Sequence, residues 1–470
     1  VPHSSSRGSA APSLSHEQRV RAGTSYPQLY FATQEGLFLK NPIATTLGLA
    51  CIASLLSTSS AGAAVRLRPM DASVPTVYTE TPAWSDTFVD SIGVDASYED
   101  HVYSPLVTQW LEWSGIRHLR DSASISPTMI STFAALGAAG IKHSVGLGQG
   151  FAPSDLIARL TAYAPYVDFV EPANEADNVA NPNWTQMKAD QTSIWNIIHS
   201  NPAYSNIKVM GPSFANPLNG VHLAPLDAVE DYAQMHNATC DWNPGTNIVW
   251  VSIAANTAKV RESTFTKPIQ TTETGYTDDL TRGCSLTDDI IAKYVTRTST
   301  ERWLAGESRT YFDFLVDTSN VEFGALGFLK SDGTPKPQMI AEGSLIHLLS
   351  DKGVAPAPFV TQYAITGATP SIHHIMFAKR DGSLYLALWQ ELPAWDHFGH
   401  KAIPIPPVPV TVTIPTNKSW VGLFQYNNNY SFTRTNLAVD QNNNTAVFPV
   451  TDSITVLHIY GRGRSAMMVH

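Results

Sequence analysis

A short β-branched or apolar run ending in polar residues, followed by a longer stretch of 3.6-residue periodicity, recurs eight times between Phe88 and Ser350. The runs are VDSIGVDA (89–96), IRHLRD (116–121), KHSVGLG (142–148), VDFVEPANE (167–175), IKVMGPS (207–213), DYAQMHN (231–237), PIQTTETGY (268–276) and a last one within 309–330. Helical segments such as SPLVTQWLEWSG, SPTMISTFAALGAAG, TQMKADQTSIWNIIHS and TDDIIAKYVTRTSTERWLA lie between them. Alternating β and α units dictate a parallel sheet with right-handed crossovers. Eight of them fit a closed (β/α)8 TIM barrel better than an open doubly wound sheet. No G-x-G-x-x-G follows the first run and no G-x-x-x-x-G-K-[ST] occurs, so nucleotide-binding variants of such a sheet lack their fingerprints.

The rhythm stops near SLIHLLSD (344–351), where Gly353 and a Pro-rich stretch follow. Beyond it come short alternating runs: SIHHIMFAKRDGSLYLALWQE, PVPVTVTIP, WVGLFQYNN, TAVFPV and SITVLHIYG. Asp381-Gly382 between two of them is a hairpin signal. The pattern predicts a catalytic barrel over 65–351, an antiparallel β-sandwich over 352–462, and a frayed tail at 463–470.

Residues 1–64 read as processing. The apolar run IATTLGLACIASLL follows Lys40 and ends in small residues at Ala61-Gly62-Ala63, the pattern of a secretory signal peptide, and is too short to span a bilayer. VPHSSSRGSAAP before it reads as vector-like sequence or an upstream mis-start. Secretion is expected, with no membrane association after processing. Two cysteines then remain, Cys240 and Cys284, an even pair and a candidate disulfide in an oxidising compartment. Sequons stand at Asn183, Asn237, Asn417, Asn429 and Asn443.

Composition narrows the partners. Charged side chains make up 15% of the chain, against about 25% in an ordinary soluble protein. The net charge of −10 argues against a nucleic-acid partner. A weakly charged chain with 11 Trp, 17 Tyr and 18 Phe suits an uncharged polymer better than phosphates. A monomer is expected.

In a barrel the chemistry sits where strands end and βα loops begin. Glu175 closes the fourth strand directly after Asn174, and Glu273 lies near the end of the seventh. Two carboxyl groups facing each other across a barrel mouth are what glycoside hydrolysis needs, one to protonate the leaving oxygen and one to attack or to activate water.

With VDSIGV, GIRHLRD, EPANEADN, a Met-His at the sixth strand, KPIQTTETGY, FGALGFLKSDGTPKPQ and KRDGSLYLALWQE in this order, the chain resembles the retaining (β/α)8 glycoside hydrolases of clan A. It looks most like secreted family-5 and family-39 type enzymes with a C-terminal β-sandwich, over roughly 85–460. The resemblance implies that Glu175 is the general acid/base and Glu273 the nucleophile. Asn174 would then bond the sugar 2-hydroxyl, Arg120 would hold the nucleophile ionised, and His236 would contact the nucleophile or the substrate. Those roles ask Glu175 to stay protonated near neutral pH while Glu273 stays charged. Neither cofactor nor metal is implied. The substrate would be a neutral poly- or oligosaccharide.

Trp184, Trp242 and Tyr276 join these as expected substrate contacts; Trp250 is either a further platform or a core residue. A Cys240–Cys284 disulfide would tie two loops of the cleft together. Glu171, four residues before Glu175, reads as a deeper residue paired with a base such as Arg120 or His118. Two departures from the resemblance stand out. NATCDWNPGTN replaces a Gly-rich stretch after the sixth-strand His, and the strand-eight region offers Tyr311, Phe312, Phe314 and Phe328 where a Trp is usual. They leave room for a non-catalytic glycan-binding barrel. A metal-dependent hydrolase is weaker, because no H-x-x-x-H or H-x-H sits at a strand end and His373-His374 is an isolated pair.

Overall fold

The computed structural model describes residues 74–461, apart from 97–102, 122–124, 319–324, 416–417 and 441. The leader-like residues 1–64, Asn417 and the tail lie outside the described residues. Two short strands come first, β1 (Thr76–Glu80) and β2 (Ala83–Trp84), then helix α1 (Ser85–Asp90). The eight expected parallel strands follow: β3 (Ile92–Asp95), β4 (His118–Asp121), β5 (Lys142–Gly146), β6 (Val167–Glu171), β7 (Lys208–Val209), β8 (Ala233–His236), β9 (Ile269–Thr274) and β10 (Arg309–Phe312). They form one sheet in the order β7-β6-β5-β4-β3-β10-β9-β8. A parallel bridge from Met210 to Tyr232 joins its two outer strands and closes the barrel.

The helices around it are α2 (Pro105–Ser114), α3 (Pro127–Ala138), α4 (Pro153–Tyr163), α5 (Trp184–Ser200), α6 (Ile253–Val260), α7 (Asp288–Leu304) and α8 (Pro337–Leu349). Local chemistry sets their ends. Ser104 and Ser126 cap α2 and α3 by accepting from the backbone N–H of Val107 and Met129, and a proline follows each at the first helical position. Gly115 ends α2 at φ 76°, and a Cβ there would come within 2.8 Å of Ile346 on α8, so the turn and the close helix approach both need glycine.

Helices α7 and α8 are apolar or buried nearly all round, which is unusual for the outer layer of a barrel. The reason is a second β layer outside them. One four-stranded sheet joins β1 to β11 (Thr361–Thr366), β16 (Val408–Thr413) and β19 (Thr445–Val450). A six-stranded sheet joins β2 to β12 (Ile372–Ala378), β13 (Leu384–Gln390), β20 (Thr455–Gly461), β17 (Lys418–Tyr426) and β18 (Phe432–Leu437). A short β14–β15 hairpin (Trp395–Asp396, Lys401–Ala402) stands apart. The two larger sheets enclose an apolar core of their own around Tyr363, Leu386, Val412 and Phe448. Another core runs from Phe88 and Ile346 across to Trp389 and Val456, fusing barrel and sandwich. The β12–β13 hairpin turns at Asp381-Gly382, with Gly382 at φ 80°. Residues 76–84 pair with the C-terminal sheets, so the chain passes through the sandwich before it enters the barrel.

Candidate active site

The C-terminal ends of β4, β6, β8 and β9 bring five polar side chains together. Arg120 on β4 is fully buried. Its Nε donates to Glu171 at 3.0 Å, its Nη1 to Asp95 at 2.8 Å and to Glu273 Oε1 at 2.5 Å, and its Nη2 to Asn174 Oδ1 at 2.7 Å. Glu171 also accepts from Ser144 at 2.9 Å and from Gln234. Each acceptor thus comes from a different strand or loop, and one planar guanidinium sets the spacing of all of them. His118, the other base considered for Glu171, binds Asp90 and Asp168 instead.

Glu273 reaches the interior through a β-bulge. Thr310 and Phe312 on β10 pair with Thr271 and Thr274 on β9, so two steps on one strand face three on the other. On the β8 side Met235 and His236 pair with Thr271 and Glu273. Thr271 and Thr274 both accept from Arg302 of α7, outside the barrel. The inserted residue shifts the alternation between them and turns Glu273 inward.

Glu175 is held by backbone rather than by a strand. It adopts φ 41°, in the left-handed region that costs a non-glycine residue of order 1–3 kcal/mol, and its N–H donates to Ser213 Oγ at 3.2 Å. His236 stands between the two glutamates: Nδ1 lies 2.9 Å from Glu175 Oε1 and 3.3 Å from Glu273 Oε2. With both carboxyls ionised, both contacts take their proton from Nδ1. One oxygen of Glu175, one of Glu273 and a nitrogen of His236 lie within 4.8 Å of one another. Such a trio could also receive a cation, but Arg120 already places a positive charge on Glu273.

The electrostatics correct one expectation. Glu175 was expected to stay protonated; burial does push its pKa up, but the hydrogen bond from His236 and the charges of His236 and Arg120 outweigh that and lower it. His236 moves the other way: burial lowers its pKa, and Glu273 and Glu175 together raise it above the usual imidazole value. The proton therefore belongs to His236, and Glu175 accepts from it.

The aromatic expectations fare unevenly. Tyr276 is buried at 3% exposure, and its hydroxyl bonds Thr239 and Thr298, so it is a core residue and not a substrate contact. Trp184 stacks on His222 with ring centroids 4.5 Å apart and packs on the cluster around Met187 and Phe214, which takes up one of the faces a sugar would use. Trp250 is 53% exposed, which removes the core alternative. Trp242 stacks on His397 of the β14–β15 hairpin at 4.5 Å, edge-on to Phe398, so the sandwich extends to the loop after β8. Glu391, just after β13, fixes the same loop by accepting from Asn243 at 2.7 Å, from the N–H of Gly245 at 2.9 Å and from Arg297. Cys240 and Cys284 form a disulfide that joins this loop to the one after β9. The Asn237 side chain is buried and donates to Val251 O, so that sequon is closed to modification.

Five residues around the site were not foreseen: Asp95, Ser144, Ser213, Gln234 and Asp313. Asp95 and Asp313 end or follow the first and eighth strands, so the strand-end argument that singled out Glu175 and Glu273 applies to them equally.

No family model and no curated protein matches the chain at the level of sequence. Solved structures do resemble it. A family 39 glycoside hydrolase from the gut symbiont Bacteroides cellulosilyticus WH2 has a TM-score of 0.56 at 15% identity, over 80% of this chain and 82% of that one. An α-L-arabinofuranosidase from Thermotoga maritima, solved with arabinose, has a TM-score of 0.55 at 10% identity, over 83% and 100%. A glucosidase from Croceicoccus marinus has a TM-score of 0.57 at 10% identity, over 84% and 98%. Identities this low speak for architecture alone: the chain is a (β/α)8 barrel with a C-terminal β-sandwich, and it shares that fold with these three enzymes.

Proposed function

We propose that this protein is a retaining glycoside hydrolase of clan A acting on a neutral poly- or oligosaccharide by double displacement. The observation that carries this reading is the approach of Glu175 and Glu273, with carboxylate oxygens within 4.8 Å. Retaining enzymes hold their carboxyls about 5–5.5 Å apart, whereas inverting ones need about 6.5–9.5 Å to admit a water. The similar folds of named glycosidases are in keeping with it.

In the first step a carboxylate oxygen of Glu273 attacks the anomeric carbon as the glycosidic C–O bond breaks. The departing oxygen takes the proton of Glu175, which His236 Nδ1 has supplied along their 2.9 Å hydrogen bond. Glu273 is then a neutral ester. In the second step Glu175 removes a proton from water, whose oxygen attacks the anomeric carbon and frees Glu273. Arg120 Nη1 orients the Glu273 carboxylate for its attack and receives it again when the ester is hydrolysed, and Asn174, with its oxygen engaged by Arg120, turns its N–H donors to a sugar hydroxyl. Secretion accords with the Cys240–Cys284 disulfide, which persists in oxidising compartments.

Two results are expected. A screen of para-nitrophenyl glycosides of neutral sugars yields a substrate, and proton NMR of its hydrolysis shows the first hemiacetal with the anomeric configuration of the substrate; an inverted first product excludes double displacement. The second concerns pH. Because His236 keeps its proton above the usual value of about 6.5, kcat/KM falls as pH climbs past that range. In His236→Gln the proton must be held by Glu175 alone, so the alkaline limb moves to lower pH. An unmoved limb would show that the proton does not pass through His236.

A further inference from the structure

Asp313 follows β10 and belongs to none of the pairings described so far. Along this strand Tyr311 faces the barrel interior, where its ring would collide with a Cβ on Gly93 at 2.6 Å, and Phe312 faces the outer core beside Phe328. Alternation therefore turns Asp313 inward, one level above Tyr311 and on the same side as Glu273. Its backbone is pinned there: the N–H donates to Thr274 O at 2.7 Å, and its carbonyl would lie 2.6 Å from a Cβ on Gly275. Only glycine at the end of TETGY allows this approach.

The residue keeps partial solvent contact, yet its Oδ1 is buried with no hydrogen-bond partner. A buried oxygen left unpaired costs about 1–3 kcal/mol, and such groups in a cleft mark a place where something else binds. The surrounding charges define its state. Five carboxyls, Asp95, Glu171, Glu175, Glu273 and Asp313, stand around two cations, Arg120 and His236. The first four each touch one of those cations.

We propose that Asp313 is a substrate-contact residue that reads one hydroxyl of the sugar ring docked against Glu273, and so helps to decide which sugar the cleft accepts. This rests on the glycosidase reading above and adds to it the residue that sets specificity. Burial, and then the nearby charges of Glu273 and Asp95, raise the Asp313 pKa well above the ordinary carboxylate range, against the opposing effect of Arg120. In its protonated form Asp313 donates an O–H to the sugar while its unpartnered Oδ1 accepts. The raised pKa favours that form, which lessens repulsion with the nucleophile beside it. A site built to bond a hydroxyl rejects a ring that lacks it far more strongly than an apolar pocket rejects a change of size.

The test uses the full chain, the para-nitrophenyl glycoside it hydrolyses fastest and the monodeoxy analogues of that glycoside. In the wild type one deoxy analogue is expected to lose about 10- to 100-fold in kcat/KM, as expected for a polar group left unpaired in the complex. Asp313→Ala loses a similar factor on the parent glycoside and no longer distinguishes it from that analogue. Asp313→Asn, which keeps a donor and an acceptor without a titrating group, retains most of the activity and the discrimination. The inference is overturned if Asp313→Ala discriminates among the analogues as the wild type does, or if Asp313→Asn loses as much as Asp313→Ala while melting at the wild-type temperature. A wild type that hydrolyses none of the glycosides overturns the glycosidase reading itself, which separates the two failures.

Discussion

Replacing Glu273 by alanine is expected to lower kcat/KM by about 10⁴-fold or more, about 5 kcal/mol of transition-state stabilisation. No other carboxylate can take over. Glu175 is the acid/base of the proposed pair, Glu171 is buried under Arg120, and Asp313 reaches the site from the neighbouring strand end, after β10. The fold should persist, because Arg120 retains Asp95, Glu171 and Asn174 and His236 retains Glu175. The variant also leaves a gap between two cations, where a small anion is attracted. Azide added to Glu273→Ala with an activated aryl glycoside should restore turnover and give the glycosyl azide of inverted configuration. The same treatment of Glu175→Ala should give the azide of retained configuration, since azide then replaces water in the second step. Wild-type turnover in Glu273→Ala, or a retained azide from it, would remove Glu273 from the nucleophile's role.

Much of this arrangement was legible in the chain because it is local. The eight strand runs carry their own β-branched character and their own polar endings, and a glutamate at such an ending is placed by the barrel whatever its neighbours are. Contacts that depend on which distant segment arrives were not legible. Tyr276 reads as a substrate contact and Trp250 as either a platform or a core residue; Thr239 and Thr298 bond the first, and the second is 53% exposed. The protonation of Glu175 depends on His236 reaching across from another strand, and two-residue patterns carry no trace of that. Strand β18, FTRTNL, was passed over because its exposed faces carry no apolar alternation. β1 and β2 read as part of the barrel because their sheet partners lie about 290 residues further along. Asp95 and Asp313 are different. They sit at strand ends in full view, where the barrel places a carboxyl as firmly as it places Glu175 and Glu273.

The largest effect on stability is expected at Arg120. Its side chain is fully buried and engages three carboxylates and an amide oxygen drawn from β3, β6, the loop after β6, and β9. In Arg120→Met the methionine fills most of the volume, so packing changes little and the electrostatic consequence is isolated. Asp95 and Glu171 then stay buried and lose the guanidinium that faces them; breaking a buried pair in this way costs roughly 3–5 kcal/mol. The sign of the pH dependence identifies the cause. In the variant the orphaned carboxyls have folded-state pKa values above their unfolded ones. The folded state therefore binds more protons, and its stability rises as pH falls from neutral towards the ordinary carboxylate range. A general packing defect would show no such recovery on mild acidification. Activity should fall with stability but not recover with it, because Glu273 has lost the guanidinium that orients it. Arg120→Lys should rescue stability only in part, since an ammonium on a flexible stem cannot present the fixed fork that meets four acceptors at once. Thermal melts of the three proteins between pH 7 and pH 5 measure this directly, and an Arg120→Met variant whose melting temperature matches the wild type across that range would show that the charge at the centre of the site is not what holds it together.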